Sequence, residues 1–181
     1  MMAGNALAFE FVTDSAEPAV VKDALISPCG LYRYWLTRVW NPGARKLPII
    51  MLNPSTADAA IDDPTIGRCM SFARREGFGG IRVVNLFSFR ATSPDDMKAA
   101  DDPIGPDGSA HIEDVLRVSV AAGIPVLCAW GAHGGYGNRD KAVLLSAEGW
   151  GADMVCLGTT KEGHPRHPLY VRGDQPFEPF A

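Results

Sequence analysis

Apolar residues follow two different rhythms along this chain. Over residues 31–41, LYRYWLTRVWN, bulky apolar or aromatic residues alternate with Arg and Thr, and the run closes at Asn-Pro-Gly. That pattern predicts a half-buried strand ending in a turn. AFEFVT, at residues 8–13, offers it an antiparallel partner. From residue 47 onward the alternation gives way to continuous apolar runs: LPIIML (47–52), IRVVNLF (81–87), IPVLCAW (124–130) and DMVCLG (153–158). Strands covered on both faces read this way, because neither side of the pleat meets water.

Between these runs lie segments with helical spacing and helical punctuation. DPTIGRCMSFARREG (63–77) has Asp63 as N-cap and Gly77 as stop, DGSAHIEDVLRVSVAAG ends at Gly123, and NRDKAVLLSAEG ends at Gly149. Buried strands alternating with helices require crossover connections. The prediction is therefore a three-layer α/β/α sandwich with a mainly parallel four-stranded central sheet, plus N-terminal antiparallel strands. We expect a single domain over 1–181, with an N-terminal extension at 1–30, the core at 31–172 and a C-terminal tail at 173–181. The stretch TSPDDMKAADDPIGPDGS (92–109) reads as a long polar loop, a candidate lid.

Composition narrows the function classes. The chain has 181 residues, 46% of them hydrophobic, enough for one core. Lys and Arg total 17 against 21 Asp and Glu, a formal charge of -4, which excludes a global basic field for phosphate backbones. Any nucleic-acid contact would be local. Cys29, Cys69, Cys128 and Cys156 form no CxxC pair, and the last two sit inside apolar runs as small hydrophobes. Reduced thiols and a cytoplasmic location are expected. Neither export nor membrane insertion is expected, since no basic segment precedes the first apolar residues and no run is long enough to span a bilayer.

In open α/β sheets, ligands bind outside the carboxyl ends of the strands. The loops at those ends carry His133, His164 and His167, three of the four histidines. After the first buried run, Pro54 forces Asn53 out of the helical region, so the amide is carried one residue beyond the strand. Asn53, with Ser55 beside it, then either offers its amide to a pocket or forms an Asx-type turn on local backbone. Asn85 interrupts an apolar strand. It is either a tie to a neighbouring strand or a ligand-reading amide, since an unpaired buried amide costs roughly 1–3 kcal/mol. Phe87 and Phe89 follow at alternate positions and offer either a stacking face or core packing.

Trp130 and Gly131 end the third run and lead into a glycine-rich loop, in which His133 is either a pocket donor or an exposed residue. The loop is neither GxGxxG nor a Walker sequence, so dinucleotide and NTP binding are not indicated. In HPRHPLY, prolines hold His164, Arg166 and His167 in a stiffened loop suited to pre-organised donors. No metal centre or other cofactor is expected: the two histidines lack further loop-borne ligands for zinc. Asp58, Asp62 and Asp63 cluster after Asn53 and read as a solvated loop with one helix cap, or as a general base or Mg²⁺ ligands. Arg68, Arg74 and Arg75 lie on the following helix, either as a surface face or as phosphate contacts.

MLNPSTAD, DDPTIGRC, GFGGIRVVNLFSFRAT, DPIGPDGSAHI, AWGAHG and LGTTKEGHPRHPLYV together resemble the signature of domain-of-unknown-function family 1643, over residues 31–171. More distantly, the motif order is similar to that of the uracil-DNA glycosylase superfamily. There a Gly-Ile-Asn-Pro-Gly motif places the water-activating residue, the asparagine of an LLLN strand end reads the pyrimidine edge, and an LWG-like segment follows. A His-Pro-Ser-Pro-Leu-Ser loop stabilises the leaving base. The resemblance implies a uracil-DNA-glycosylase-like fold and a nucleobase, nucleotide or DNA as partner. It also implies hydrolysis of an N-glycosidic bond, with Asn53 and His164 or His167 as catalytic groups. Pro54, Ser55, Asn85, Phe87, Phe89, Trp130, Gly131, His133 and Arg166 would line the substrate site. The chain departs from that pattern in having no glycine before LNP and an extra residue, with no serine between prolines, in the last loop. Two alternatives stand beside it: a non-catalytic nucleotide- or nucleic-acid-binding domain, and a metal-assisted hydrolase using Asp58, Asp62 and Asp63.

Overall fold

The structure, a computed structural model, describes residues 19–55 and 63–180. Seven strands form one mixed sheet: β1 (Val21–Ile26), β2 (Arg33–Val39), β3 (Lys46–Met51), β4 (Gly80–Asn85), β5 (Val126–Cys128), β6 (Met154–Cys156) and β7 (Glu178–Pro179). Their order is β1-β2-β4-β3-β5-β6-β7. The pairs β4-β3, β3-β5 and β5-β6 are parallel, and β1, β2 and β7 are antiparallel to their neighbours. The described helices are α1 (Pro64–Arg75), α2 (Pro94–Lys98), α3 (Gly108–Ala122) and α4 (Arg139–Trp150).

The continuous apolar runs are explained by burial on both faces. Ile49, Met51, Ile81, Val83, Leu127 and Val155 pack with Ile66, Cys69 and Phe72 of α1. Alternate residues, Ile50, Val84, Val126, Cys128 and Met154, pack on the other face with Ile112 and Leu116 of α3 and Val143 of α4. Each such aliphatic side chain contributes about 1.5–3 kcal/mol on full burial. The chain leaves β3 through α1 to reach β4 on one side, then crosses by α3 to β5 on the other side of β3. Connections thus diverge around β3, and the crevice they leave lies at the carboxyl ends of β3 and β5.

The expected four-stranded central sheet and the N-terminal antiparallel strands form one mixed sheet of seven, and both its edges come from segments that pattern assigns to an extension and a tail. Residues 8–13 lie outside the described residues. The antiparallel partner of β2 is β1, in register Val21↔Val39 to Leu25↔Trp35 with a shift before Ile26. β7 is two residues long and contains Pro179, which an edge strand tolerates.

Asp63 caps α1 as expected, its Oδ1 accepting from the Ile66 amide at 2.8 Å, and Gly77 follows the helix end at φ 77°. The helix α4 runs through Gly149 and stops at Gly151, φ 70°, instead. Trp150 carries it onward, because its indole N–H donates to Glu113 of α3 at 2.6 Å. Part of the presumed polar loop at 92–109 is also structured. It contains α2, whose Met97 is fully buried, and its Pro103 and Ile104 carbonyls accept from the Phe89 and Ser88 amides. These bonds pack the segment down on the chain beyond β4, so a mobile lid is not what they build.

Candidate functional site at the carboxyl edge

A cavity of about 750 Å³ opens at the crevice, within the ~300–1,000 Å³ common for small-molecule sites. Asn53, two residues beyond β3, lines it. Its Nδ2 donates to the Ala91 carbonyl at 2.9 Å and to the Pro54 carbonyl at 3.2 Å, stitching the loop after β3 to the loop after β4. The two carbonyls fix the amide's orientation, since only the NH₂ end can face them. Oδ1 is thereby the end of Asn53 that bonds to no described residue. This is a bridge between loops, with one local bond to Pro54, rather than an Asx turn.

Asn85 ends β4 on the same face of the sheet as Val83 and lines the same cavity. It is only 2% exposed, and its Oδ1 has no hydrogen-bond partner among the described residues. Trp130, which follows β5, is equally buried, and its indole N–H also lacks a described acceptor. Two orphaned polar atoms on residues that line one cavity are unusual, because buried polar groups are nearly always bonded. Their geometry is enforced locally. Gly131 turns the chain at φ 72°, ψ -169°, and its amide donates to the Pro165 carbonyl at 3.0 Å. A Cβ on Gly134 would sit 2.0 Å from Trp130 Cδ1, so only glycine lets the next turn close over the ring.

The last loop delivers His167. Its Nδ1 accepts from the Leu169 amide at 3.4 Å, which assigns the proton of the neutral ring to Nε2. Burial holds its pKa below the usual histidine value, partly offset by Asp63. The ring therefore stays neutral at pH 7 and presents a donor. Tyr170 packs against it, ring centroids 5.6 Å apart, and α1 grips the loop through Arg68, whose guanidinium donates to the carbonyls of Pro168 and Val171.

Two charged groups complete the lining. Asp63 has both oxygens engaged, one on the Ile66 amide and one on Ser55 Oγ at 3.3 Å. Arg33 of β2 is 5% exposed, and its Nε has no partner among the described residues. Burial pushes the guanidinium down to about 10, offset by Asp63 and reinforced by Arg90 and Arg38, so it remains charged at neutral pH.

Of the residues predicted from sequence, Asn53, Ser55, Asn85, Trp130, Gly131, His133, Arg166 and His167 line this one cavity. His133 sits at the rim, its Nδ1 3.3 Å from Lys98 Nζ, and Arg166 Nε donates to the Thr159 carbonyl. Pro54, Phe87, Phe89 and His164 do not line it. β4 ends at Asn85 and the chain bends over residues 86–87, which turns Phe87 to the α3 face against Tyr136. Phe89 meets Tyr32 edge-on. His164 turns the other way, its Nδ1 3.7 Å from Asp140 of α4. Arg75 holds the Gly173 carbonyl and pairs with Glu76, and Arg74 lies over Trp40. Asp58 and Asp62 fall outside the described residues. Among the described residues, no group of three or more His, Cys, Asp or Glu side chains is placed to hold a metal ion. Sequence reasoning missed Arg33 and Tyr170; the only signal for Tyr170 was its place in HPLY.

Fold and site together define an α/β protein of mixed sheet with a ligand-sized cavity at the carboxyl edge of its parallel strands. The chain belongs to a family described as protein of unknown function, DUF1643, whose model matches residues 33–169. No curated protein and no solved structure matches the chain. No described helix is long and apolar enough to cross a membrane.

Proposed function

We propose that the cavity binds a nucleobase and that the protein hydrolyses an N-glycosidic bond there. The supporting observation is that Asn53, Asn85, Trp130 and His167, delivered by four separate strand ends, line one cavity. A planar base fits between Trp130 and the apolar wall of Met51, Val83 and Ile66, with its edge on the unpartnered Asn85 amide. Asn53 Oδ1 accepts from a water whose oxygen bonds to the anomeric carbon. The C–N bond breaks with its electron pair on the base, and the His167 Nε2–H faces that charge. The water supplies hydroxyl to the sugar and, in the end, a proton to the base. The likeness of the motif order to the uracil-DNA glycosylases supports the same roles.

The test is release of free base from uracil- and mismatch-containing DNA, single and double stranded, and from mononucleotides. Wild type should release base. Asn53→Ala and His167→Ala should each lower the rate roughly 10²–10⁴-fold, as loss of a positioned group does. No release by wild type removes the hydrolase. A binding-only role is favoured by one observation: Asp63, the carboxylate lining the cavity, has both oxygens occupied. Saturable binding without turnover would be its signature. Activity that disappears in chelator would instead favour the metal-assisted reading through Asp58 and Asp62.

A further inference from the structure

A guanidinium is rarely buried without an anion. Arg33 is nonetheless 5% exposed on the cavity wall, its Nε has no hydrogen-bond partner, and it forms no ion pair of 4 Å or less among the described residues. Asp63 lies near enough to favour its charge, but that carboxylate is held by the α1 amide of Ile66 and by Ser55. Arg90 and Arg38 act in the opposite direction to Asp63. Taking a cation out of water without a partner is costly even after relaxation. The cavity therefore contains a cation that has no ion-paired counter-charge among the described residues.

We propose that Arg33 receives the phosphate of a free nucleoside monophosphate whose base lies in the cavity lined by Asn85 and Trp130. This deepens the nucleobase reading and rests on it. A guanidinium offers a planar fork matched to phosphate oxygens, which a lysine could not do as well from a strand. A polymer is the weaker candidate on charge: its further phosphates need cover, and this chain is net -4 with Arg33 sunk inside the cavity.

Calorimetric titration of the full chain with uridine and uridine 5′-monophosphate, then with the other nucleosides and their monophosphates, tests it. One monophosphate should bind about tenfold or more tighter than its nucleoside, the scale of a charge-assisted pair. Arg33→Met should erase that difference. Equal affinity of each nucleoside and its monophosphate for wild type overturns the proposal and leaves the nucleobase reading standing. No binding of either overturns both. A single-stranded oligonucleotide binding more tightly than every monophosphate also overturns it, in favour of a polymer. If Arg33→Met fails to fold, the wild-type comparison still decides.

Discussion

Replacing Asn85 by leucine separates a ligand-reading amide from a structural one. Leucine keeps asparagine's branching at Cγ and its number of side-chain heavy atoms, and Asn85 is 2% exposed with its Oδ1 unbonded among the described residues. If that oxygen faces the cavity for a ligand, the free protein carries its desolvation, roughly 1–3 kcal/mol, as a standing cost. Asn85→Leu should relieve part of it, against less than about 1.5 kcal/mol for an imperfect shape match. The net expectation is stability unchanged or raised by about 1 kcal/mol, or ~2–4 °C in melting temperature for a chain of this length. Urea denaturation of both proteins, comparing midpoints at constant m, measures it. Binding of nucleobases should disappear in the same variant. A loss of about 2 kcal/mol or more, on the ~1–3 kcal/mol scale of a broken buried hydrogen bond, would instead make Asn85 a tie between strands.

Gly134→Ala should destabilise by about 1–3 kcal/mol through the clash with Trp130 and weaken ligand binding with it; wild-type stability in that variant would contradict the close approach. Asp63→Ala should cost about 0.5–2 kcal/mol in thermal or urea unfolding through the lost helix cap, while Asp63→Asn, which keeps an acceptor, should stay near wild type. Burial lowers the pKa of His167, so between its folded and ordinary values the unfolded chain binds more protons than the folded one. Its contribution is full above the ordinary histidine pKa of about 6.5 and is lost as pH falls through the folded value. Urea midpoints at pH 7.5 and 5.0 should thus drop less in His167→Gln than in wild type. A residual slope should remain, because burial also lowers the pKa of His111.

The fold was legible where burial is two-sided. LPIIML and IRVVNLF announce strands whose two faces both meet helices, and Asp63-Pro64 announces a helix start by its own chemistry. The edge strands were not legible, because β1 and β7 are held by pairing to β2 and β6 rather than by any pattern of their own. Gly149 and Gly151 are equal stop signals in sequence, and the bond from Trp150 to Glu113 decides between them. Placing strand ends on one edge anticipated that Asn53, Asn85, Trp130 and His167 line one cavity, because parallel strands share a direction. It failed for Phe87, where the chain bends after Asn85, and for His164, on the other side of the buried Pro165 from His167. Arg33 was hidden in an alternating strand, where an arginine reads as the wet face.

Asn53, Asn85, Trp130 and His167 line one cavity, and its proposed occupant is a nucleobase. The most direct measurement is nuclear magnetic resonance of ¹⁵N-labelled protein titrated with uracil, thymine, cytosine, adenine and guanine. It would follow the side-chain amides of Asn53 and Asn85, the Trp130 indole N–H and the His167 ring. Saturable shifts of these four groups together, with at least one base, are the expected result. No base moving them, or shifts confined to residues elsewhere on the chain, would contradict it.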